Sequence, residues 1–212
     1  AIAAGIPTPR CYVIDDPSPN AFAPGRNPEH AAIAVTTGLK EKLNRLELEG
    51  VVGHEMAHIK NYDTLVQTLA AVMGGTVVLL SDWMLRAWFW GGGRRRSGND
   101  NAGPAGAILS IVAIGLLVLS PLFAAVIQMA ISRKREFLAD ANGVLLTRYP
   151  QGLADALRKI AADTNRLSVA NKATESMYIY NPLKDYRGGR GLNALFDTHP
   201  PVDERIKRLE AM

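Results

Sequence analysis

Two long apolar runs constrain this chain more than any other feature. From Thr64 to Ser81, and again from Ala105 to Ser132, there is no Asp, Glu, Lys or Arg. A helix over the first run measures about 27 Å, close to the hydrocarbon thickness of a bilayer. A helix in a soluble core rarely stays so apolar for so long, so the pair is expected to form a transmembrane or membrane-embedded hairpin. Trp83, Trp88, Phe89 and Trp90 gather at the far end of the first run, where an interfacial aromatic belt belongs. Asp82 and Arg86 are spaced to pair at i and i+4. The Gly- and Arg-rich stretch 91–104 reads as a solvated loop, and Pro121 as a kink in the second helix. Arg133-Lys134-Arg135 marks the return to the headgroup region.

The remainder alternates between short extended runs and amphipathic helices. Arg10–Asp15, Asn20–Ala23 and Ala31–Thr37 read as three short strands punctuated by Pro9, Pro17, Pro19 and Pro24. Two tight turns favour an antiparallel meander. The proline-flanked Asn20–Ala23 run belongs at an edge, because proline cannot donate to a central ladder. That edge is either open to an extended peptide or covered by another element. Leu39, Leu43, Leu46, Val51, Val52 and Met56 recur at helical spacing. A helix starting near Asn44 or Arg45 meets no stop signal between His58 and Thr64, so it is expected to continue into the first apolar run. Gly50 and Gly53 allow neighbouring elements to approach it closely.

Beyond the second run the helical pattern continues through Glu136 and Asp140 towards Tyr149. Leu153, Ala156, Leu157 and Ile160 stripe an amphipathic helix over 151–163. Residues 177–180 are strand-like and 187–191 loop-like. A last helix follows His199-Pro200-Pro201, with Ile206 and Leu209 facing inward. The expected fold class is α+β, mainly α. One discontinuous domain, residues 1–63 and 132–212, carries a small antiparallel sheet, and 64–131 is an inserted apolar helical hairpin.

Net charge is +4 with a pI near 9.3, which suits either nucleic acid or anionic lipid headgroups. No glycine-rich phosphate loop and no basic helix with interleaved aromatics is present, so nucleic acid is discounted. The single Cys11 allows no internal disulfide and no cysteine metal cluster, which fits a reducing compartment. The start at Ala1, without methionine or signal peptide, reads as an excised piece of a longer chain with further spans before it.

Within the polar domain stands His54-Glu55-Met56-Ala57-His58. On a helix the two histidines lie one turn apart on one face, so both imidazoles can reach one zinc ion. Glu55, rotated about 100° from His54, is placed to take a proton from water beside the metal. A catalytic zinc site needs a third protein ligand. His30 follows Pro28 just ahead of a strand and suits a surface role. Glu136 is the better choice by register, since His58 shortly precedes the first apolar run and Glu136 shortly follows the second. An antiparallel hairpin would return both to the same membrane surface. Otherwise Glu136 is a solvated partner of Arg133 or Lys134. Asp140, one turn beyond Glu136, is either the acceptor for a ligand histidine's free N–H or a surface carboxylate. Asp63 is a further candidate to brace the cluster.

These residues resemble a known family. Asn20-Ala21-Phe22-Ala23, the run from His54 to Asn61, Arg135-Glu136-Phe137-Leu138-Ala139-Asp140 and His199-Pro200-Pro201 occur in the order of the HtpX-type membrane metalloproteases. Those are gluzincins related to the CaaX prenyl endopeptidases. The resemblance implies a zincin-like catalytic domain and a zinc endopeptidase acting on unfolded or damaged proteins. It further implies a multi-pass protein of the bacterial inner membrane whose catalytic domain faces the cytoplasm. By the same resemblance His54, His58 and Glu136 hold one Zn2+, and Glu55 is the general base. Asn20 and His199 would donate to the oxyanion, and Arg205 would brace the site. Arg94, Arg95 and Arg96 then lie on the far side, against the positive-inside tendency, offset by Lys60, Arg133, Lys134 and Arg135. A rival reading is a catalytically silent membrane scaffold with structural zinc. Closed structural sites generally use four protein ligands, and only three convincing ones are found.

Overall fold

The computed structural model describes residues 1–91, 104–163, 165, 179 and 199–212. The basic loop at 92–103 and the strand-like and loop-like segments expected at 177–180 and 187–191 lie outside the described residues, Ile179 excepted. The elements in chain order are β1 (Arg10–Ile14), β2 (Ala21–Phe22), a 3-10 turn (Pro28–His30), β3 (Ala32–Thr36), α1 (Thr37–Lys42) and α2 (Arg45–Lys60). There follow α3 (Asp63–Gly91), α4 (Pro104–Thr147), α5 (Pro150–Ala162) and α6 (Val202–Glu210).

The sheet is mixed, in the order β1-β3-β2, and corrects the expected antiparallel meander. β2 pairs antiparallel with β3, Ala21 opposite Val35. β1 pairs parallel with β3, from Arg10 opposite Ala32 to Ile14 opposite Thr36. A parallel pair needs a crossover of a dozen or more residues, and residues 15–31 supply it. The two-residue β2 sits inside that crossover and folds back on the far side of β3.

The chain divides into two compact units, Ala1–Gln67 with Met129–Met212, and Thr68–Gln128. In the first, α5 delivers its predicted stripe: Leu153, Ala156, Leu157 and Ile160 are all buried, together with Leu39, Leu43, Val51, Ala21 and Leu209. A second cluster joins Ala23, Ala31 and Ile33 of the sheet region to Met56 and Ile59 of α2. Gly50 lets α2 pack against α5 in the first cluster, because a Cβ there would lie 2.6 Å from the Leu153 nitrogen.

In the second unit, Gln128 Nε2 donates to the Ala70 carbonyl at 2.9 Å, and the Ser81 and Ser120 hydroxyls meet at 2.6 Å. Gly74 makes room for that glutamine, since a Cβ there would come within 1.7 Å of its nitrogen. Such polar bridges suit helices with little water to hydrogen-bond. Leu69, Val72, Met73, Leu79, Ile111, Leu116, Phe123 and Ile127 are exposed. Two helical stretches, Asp63–Ala87 and Ile114–Thr147, are long and apolar enough to cross a membrane, with mean hydropathies of 1.7 and 2.3. The helix α4 continues through Pro121. Arg86 Nε donates to Asp82 Oδ2 at 2.8 Å, as the spacing predicted.

Candidate metal centre

The helix α2 opens with a reciprocal cap. Asn44 Oδ1 accepts from the Glu47 N–H at 3.0 Å, and Glu47 Oε2 accepts from the Asn44 N–H at 2.8 Å. This fixes where the helix starts and therefore the register of His54 and His58. Their Nε2 atoms converge to 3.0 Å. The helix does not run on into the apolar block, contrary to expectation. It stops at Lys60, Asn61 caps it, and Tyr62 adopts a left-handed backbone with φ of 56° before α3 begins. The break has a local purpose. It turns Asp63 back so that Oδ2 lies 2.6 Å from His58 Nδ1.

The helix α4 supplies the acidic half of the site. Glu136 Oε1 lies 3.5 Å from His58 Nε2, and Oε2 lies 3.7 Å from His54 Nε2. Asp140, one turn on, has Oδ1 2.9 Å from His54 Nδ1. Both imidazoles thus have Nδ1 against a carboxylate and Nε2 turned towards each other. That fixes Nδ1 as the protonated nitrogen and leaves the Nε2 lone pairs to the metal. Burial, then the neighbouring His58, lowers the pKa of His54, which keeps it neutral as a ligand must be.

The fit to a metal can be tested on these distances. Ligand bonds of about 2.0 Å in a tetrahedral site imply ligand separations of roughly 3.3 Å. The two Nε2 atoms are 3.0 Å apart, each has one or the other Glu136 oxygen within 3.7 Å, and one donor atom from each of the three residues lies within 4.8 Å of the others. Charge agrees with geometry. Glu55, Asp63, Glu136 and Asp140 are all buried, and among the described residues Arg205 and the partly buried Arg135 pair with members of this set. Among the described residues the carboxylates outnumber these arginines, a balance that a divalent ion would suit.

Glu55 is unsatisfied at both oxygens. Neither carboxylate oxygen has a hydrogen-bond partner among the described residues, and burial pushes its carboxyl up to about 7, against the attraction of His58. A carboxyl with that affinity for protons, beside a metal, is suited to proton transfer near neutral pH.

The helix α6 closes the site. Arg205 is buried and grips Asp140 with two nitrogens, Nε to Oδ2 at 2.8 Å and Nη2 to Oδ1 at 2.6 Å. Its Nη1 lies 3.2 Å from Glu136 Oε2. His199, just ahead of α6, is buried with Nδ1 3.5 Å from the same oxygen. Asn20 is buried at the start of β2, where its N–H donates to Thr36 Oγ1 at 2.9 Å and its Oδ1 accepts from the Ala21 N–H at 3.0 Å. His30 is exposed and bonds Asn27, which places it away from any ligand role.

One finding resolves an alternative that the sequence left open, and one departs from the sequence reading. At Ala21 the β2 edge is covered: its carbonyl accepts from the Ile179 N–H at 3.0 Å, and Arg205 Nη1 donates to the Ile179 carbonyl at 3.1 Å. Arg135, read as a headgroup residue, instead pairs with Asp63 and donates to the Asn61 carbonyl. Asn142 also reaches Asn61, Nδ2 to Oδ1 at 3.1 Å. The signal for these partners was Asp63 itself, a carboxylate among ligands that lacked a cation in the one-dimensional reading.

The chain is similar to known proteins over its whole length. The chain is 50% identical over 212 residues to a protease HtpX homolog of Dictyoglomus thermophilum, covering all of this chain and 66% of that protein. It is 49% identical over 217 residues to a protease HtpX homolog of Listeria monocytogenes, covering 70% of it. The chain therefore spans about two thirds of the length of such relatives. The fold is similar to the crystal structure of S. mikatae Ste24p, with a TM-score of 0.61 at 20% identity, over 99% of this chain and 48% of that one. The model of peptidase family M48 matches residues 1–212, and the chain belongs to that family.

Proposed function

We propose that the protein is a membrane-associated zinc metalloendopeptidase that hydrolyses peptide bonds of misfolded or damaged proteins. The observation that carries this reading is the convergence of His54 Nε2, His58 Nε2 and a Glu136 carboxylate oxygen, with unpartnered Glu55 beside them. Two histidines and one glutamate are a ligand set characteristic of zinc peptidases that keep one position open. Zinc bound by these three residues would activate a water and polarise the scissile carbonyl.

The chain's own groups do the rest. Glu55 accepts the proton of the attacking water at a carboxylate oxygen and later passes it to the leaving amine. Asn20 and His199 would donate to the developing oxyanion, and loss of one such donor typically costs about 10²–10³ in rate. Arg205 holds Asp140 and Glu136 in place without meeting the substrate. A peptide pairing with β2 would take the Ala21 carbonyl in place of the Ile179 N–H, so recognition would run through backbone bonds and depend little on side chains.

The two long apolar helices support a bilayer location. The helix α4 carries both an apolar run and, at its cytoplasmic end in this reading, Glu136. The inner membrane of a bacterium, with the metal centre on the cytoplasmic side, is the setting proposed. Casein-type proteolysis by Glu55→Gln, with metal content verified, tests the mechanism. Activity falls by several orders of magnitude while zinc is retained; undiminished proteolysis would sink the assignment.

A further inference from the structure

Asp63 is the pivot of an arrangement that the reaction itself does not use. Its Oδ2 is 2.6 Å from His58 Nδ1, and its Oδ1 is paired with Arg135 Nη2. The same Arg135 nitrogen also donates to the Asn61 carbonyl. Both acceptors flank Tyr62, the residue whose left-handed φ of 56° separates α2 from α3. A bulky non-glycine residue resists that conformation, so contacts elsewhere must hold it. Asn142 Nδ2, two turns along α4 from Arg135, holds the Asn61 side chain at 3.1 Å. The α2–α3 junction is therefore tied to α4 at two points, both on the helix that carries Glu136.

We infer that Arg135 is a positioning residue for the metal centre: through Asp63 it orients His58, and through Asn61 it holds the helix break that presents Asp63. The inference rests on the zinc reading above and extends it to the choice of residue next to Glu136. Successive residues on a helix point about 100° apart. Glu136 can thus face the metal while Arg135 reaches round to the junction, and one short segment of α4 serves both. Arginine suits the role because its permanently charged guanidinium lies against the buried Asp63 carboxylate while the same nitrogen donates to the Asn61 carbonyl. Without the guanidinium, Asp63 keeps a buried charge with no cation and the Asn61 carbonyl loses its donor. His58 Nδ1 then loses a rigid acceptor.

Outer partners of ligand histidines typically contribute 10–100-fold to metal affinity, and Arg135 acts through such a partner. The test is a double-mutant cycle on zinc affinity, read by chelator competition on the full chain in detergent. Asp63→Asn is expected to weaken zinc by about 10-fold or more. Arg135→Met is expected to weaken it by a similar factor, and the double variant no more than Asp63→Asn alone. Arg135→Lys, which keeps charge but not the fork, is expected to fall between wild type and Arg135→Met. At saturating zinc the Lys variant recovers proteolysis with KM for peptide unchanged. Losses that multiply in the double variant, or an Arg135→Met affinity equal to wild type, would overturn the inference. A shift in KM at saturating zinc would overturn it too, by placing Arg135 in substrate binding. Wild-type protein that takes up no zinc would overturn both this inference and the peptidase reading. Zinc uptake without proteolysis would remove the peptidase reading alone.

Discussion

Gly53 and Gly143 face each other where α2 crosses α4. A Cβ on Gly53 would lie 2.8 Å from Thr147 Cγ2 and 3.2 Å from the Gly143 carbonyl oxygen, and one on Gly143 would lie 2.9 Å from the His54 nitrogen. The approach sets the spacing between the histidine-bearing and glutamate-bearing helices. Its close contact falls at His54 itself, so the crossing distance and the ligand geometry are one quantity.

Gly143→Ala tests that coupling. On an exposed helix the change would add about 1 kcal/mol of helix stability. Here the added methyl meets backbone that cannot swing aside, and overpacking of this kind costs about 1–3 kcal/mol. Stability to urea is expected to fall and zinc affinity with it, because α2 must shift away from Glu136. An alanine variant with both quantities unchanged would show that the helix separation does not control the site.

The pH dependence of stability without metal follows from Glu55. Its carboxyl is raised from 4.5 to about 7 by burial. Between those values the folded state keeps a proton that the unfolded state releases. The associated stability is therefore fully present below about 4.5 and is lost as pH rises through about 7. The full loss is about 3 kcal/mol, because each tenfold difference in proton affinity between the two states is worth about 1.4 kcal/mol. Urea unfolding in chelator from pH 5 to 8 is expected to show this decline. Glu55→Gln is expected to remove most of it and to exceed the wild type in stability at pH 8. Parallel pH profiles for the two proteins would contradict the assignment.

The convergence of His54, His58 and Glu136 was legible because a helix converts spacing into direction. His54 and His58 share a face by register, and Glu136 and Asp140 share another, so two short motifs and the hairpin between them implied the centre. The break at Tyr62 was not legible. Nothing local forbids α2 from continuing, and the left-handed turn is held by Arg135 and Asn142, which are remote in the chain. The parallel pairing of β1 with β3 was hidden for a similar reason. Prolines near β2 suggested tight turns, yet residues 15–31 act together as one crossover. The covered edge at Ala21 depends on Ile179, and no spacing rule connects those two positions.

Asp140→Asn should separate metal holding from substrate binding. Asp140 accepts at His54 Nδ1 and is gripped by two Arg205 nitrogens. Asparagine retains the shape but replaces one acceptor oxygen with a donor and removes the charge. Zinc affinity is expected to fall by about 10–100-fold, with activity restored in part by added zinc. KM at saturating zinc should stay near the wild-type value, measured on a fluorogenic peptide. A raised KM with full zinc occupancy would place Asp140 against the substrate.

Arg205 is the strongest case for coupling between metal and fold. Its guanidinium is buried between Asp140 and Glu136, 2.6 Å from one and 3.2 Å from the other. Burial alone would favour losing its proton, but the two carboxylates raise its pKa instead, so it stays charged. Arg205→Met leaves two buried carboxylates without their shared cation, and breaking a buried pair from one side costs about 3–5 kcal/mol. Zinc supplies positive charge to Glu136 but not to Asp140. The penalty is therefore expected to be largest without metal and to shrink, without vanishing, once zinc is bound. Urea unfolding of wild type and variant, each with chelator and with excess zinc, measures the difference. An equal penalty in both conditions would mean that Arg205 and the metal do not share Glu136, and a penalty below about 1 kcal/mol would mean that the pair is solvated.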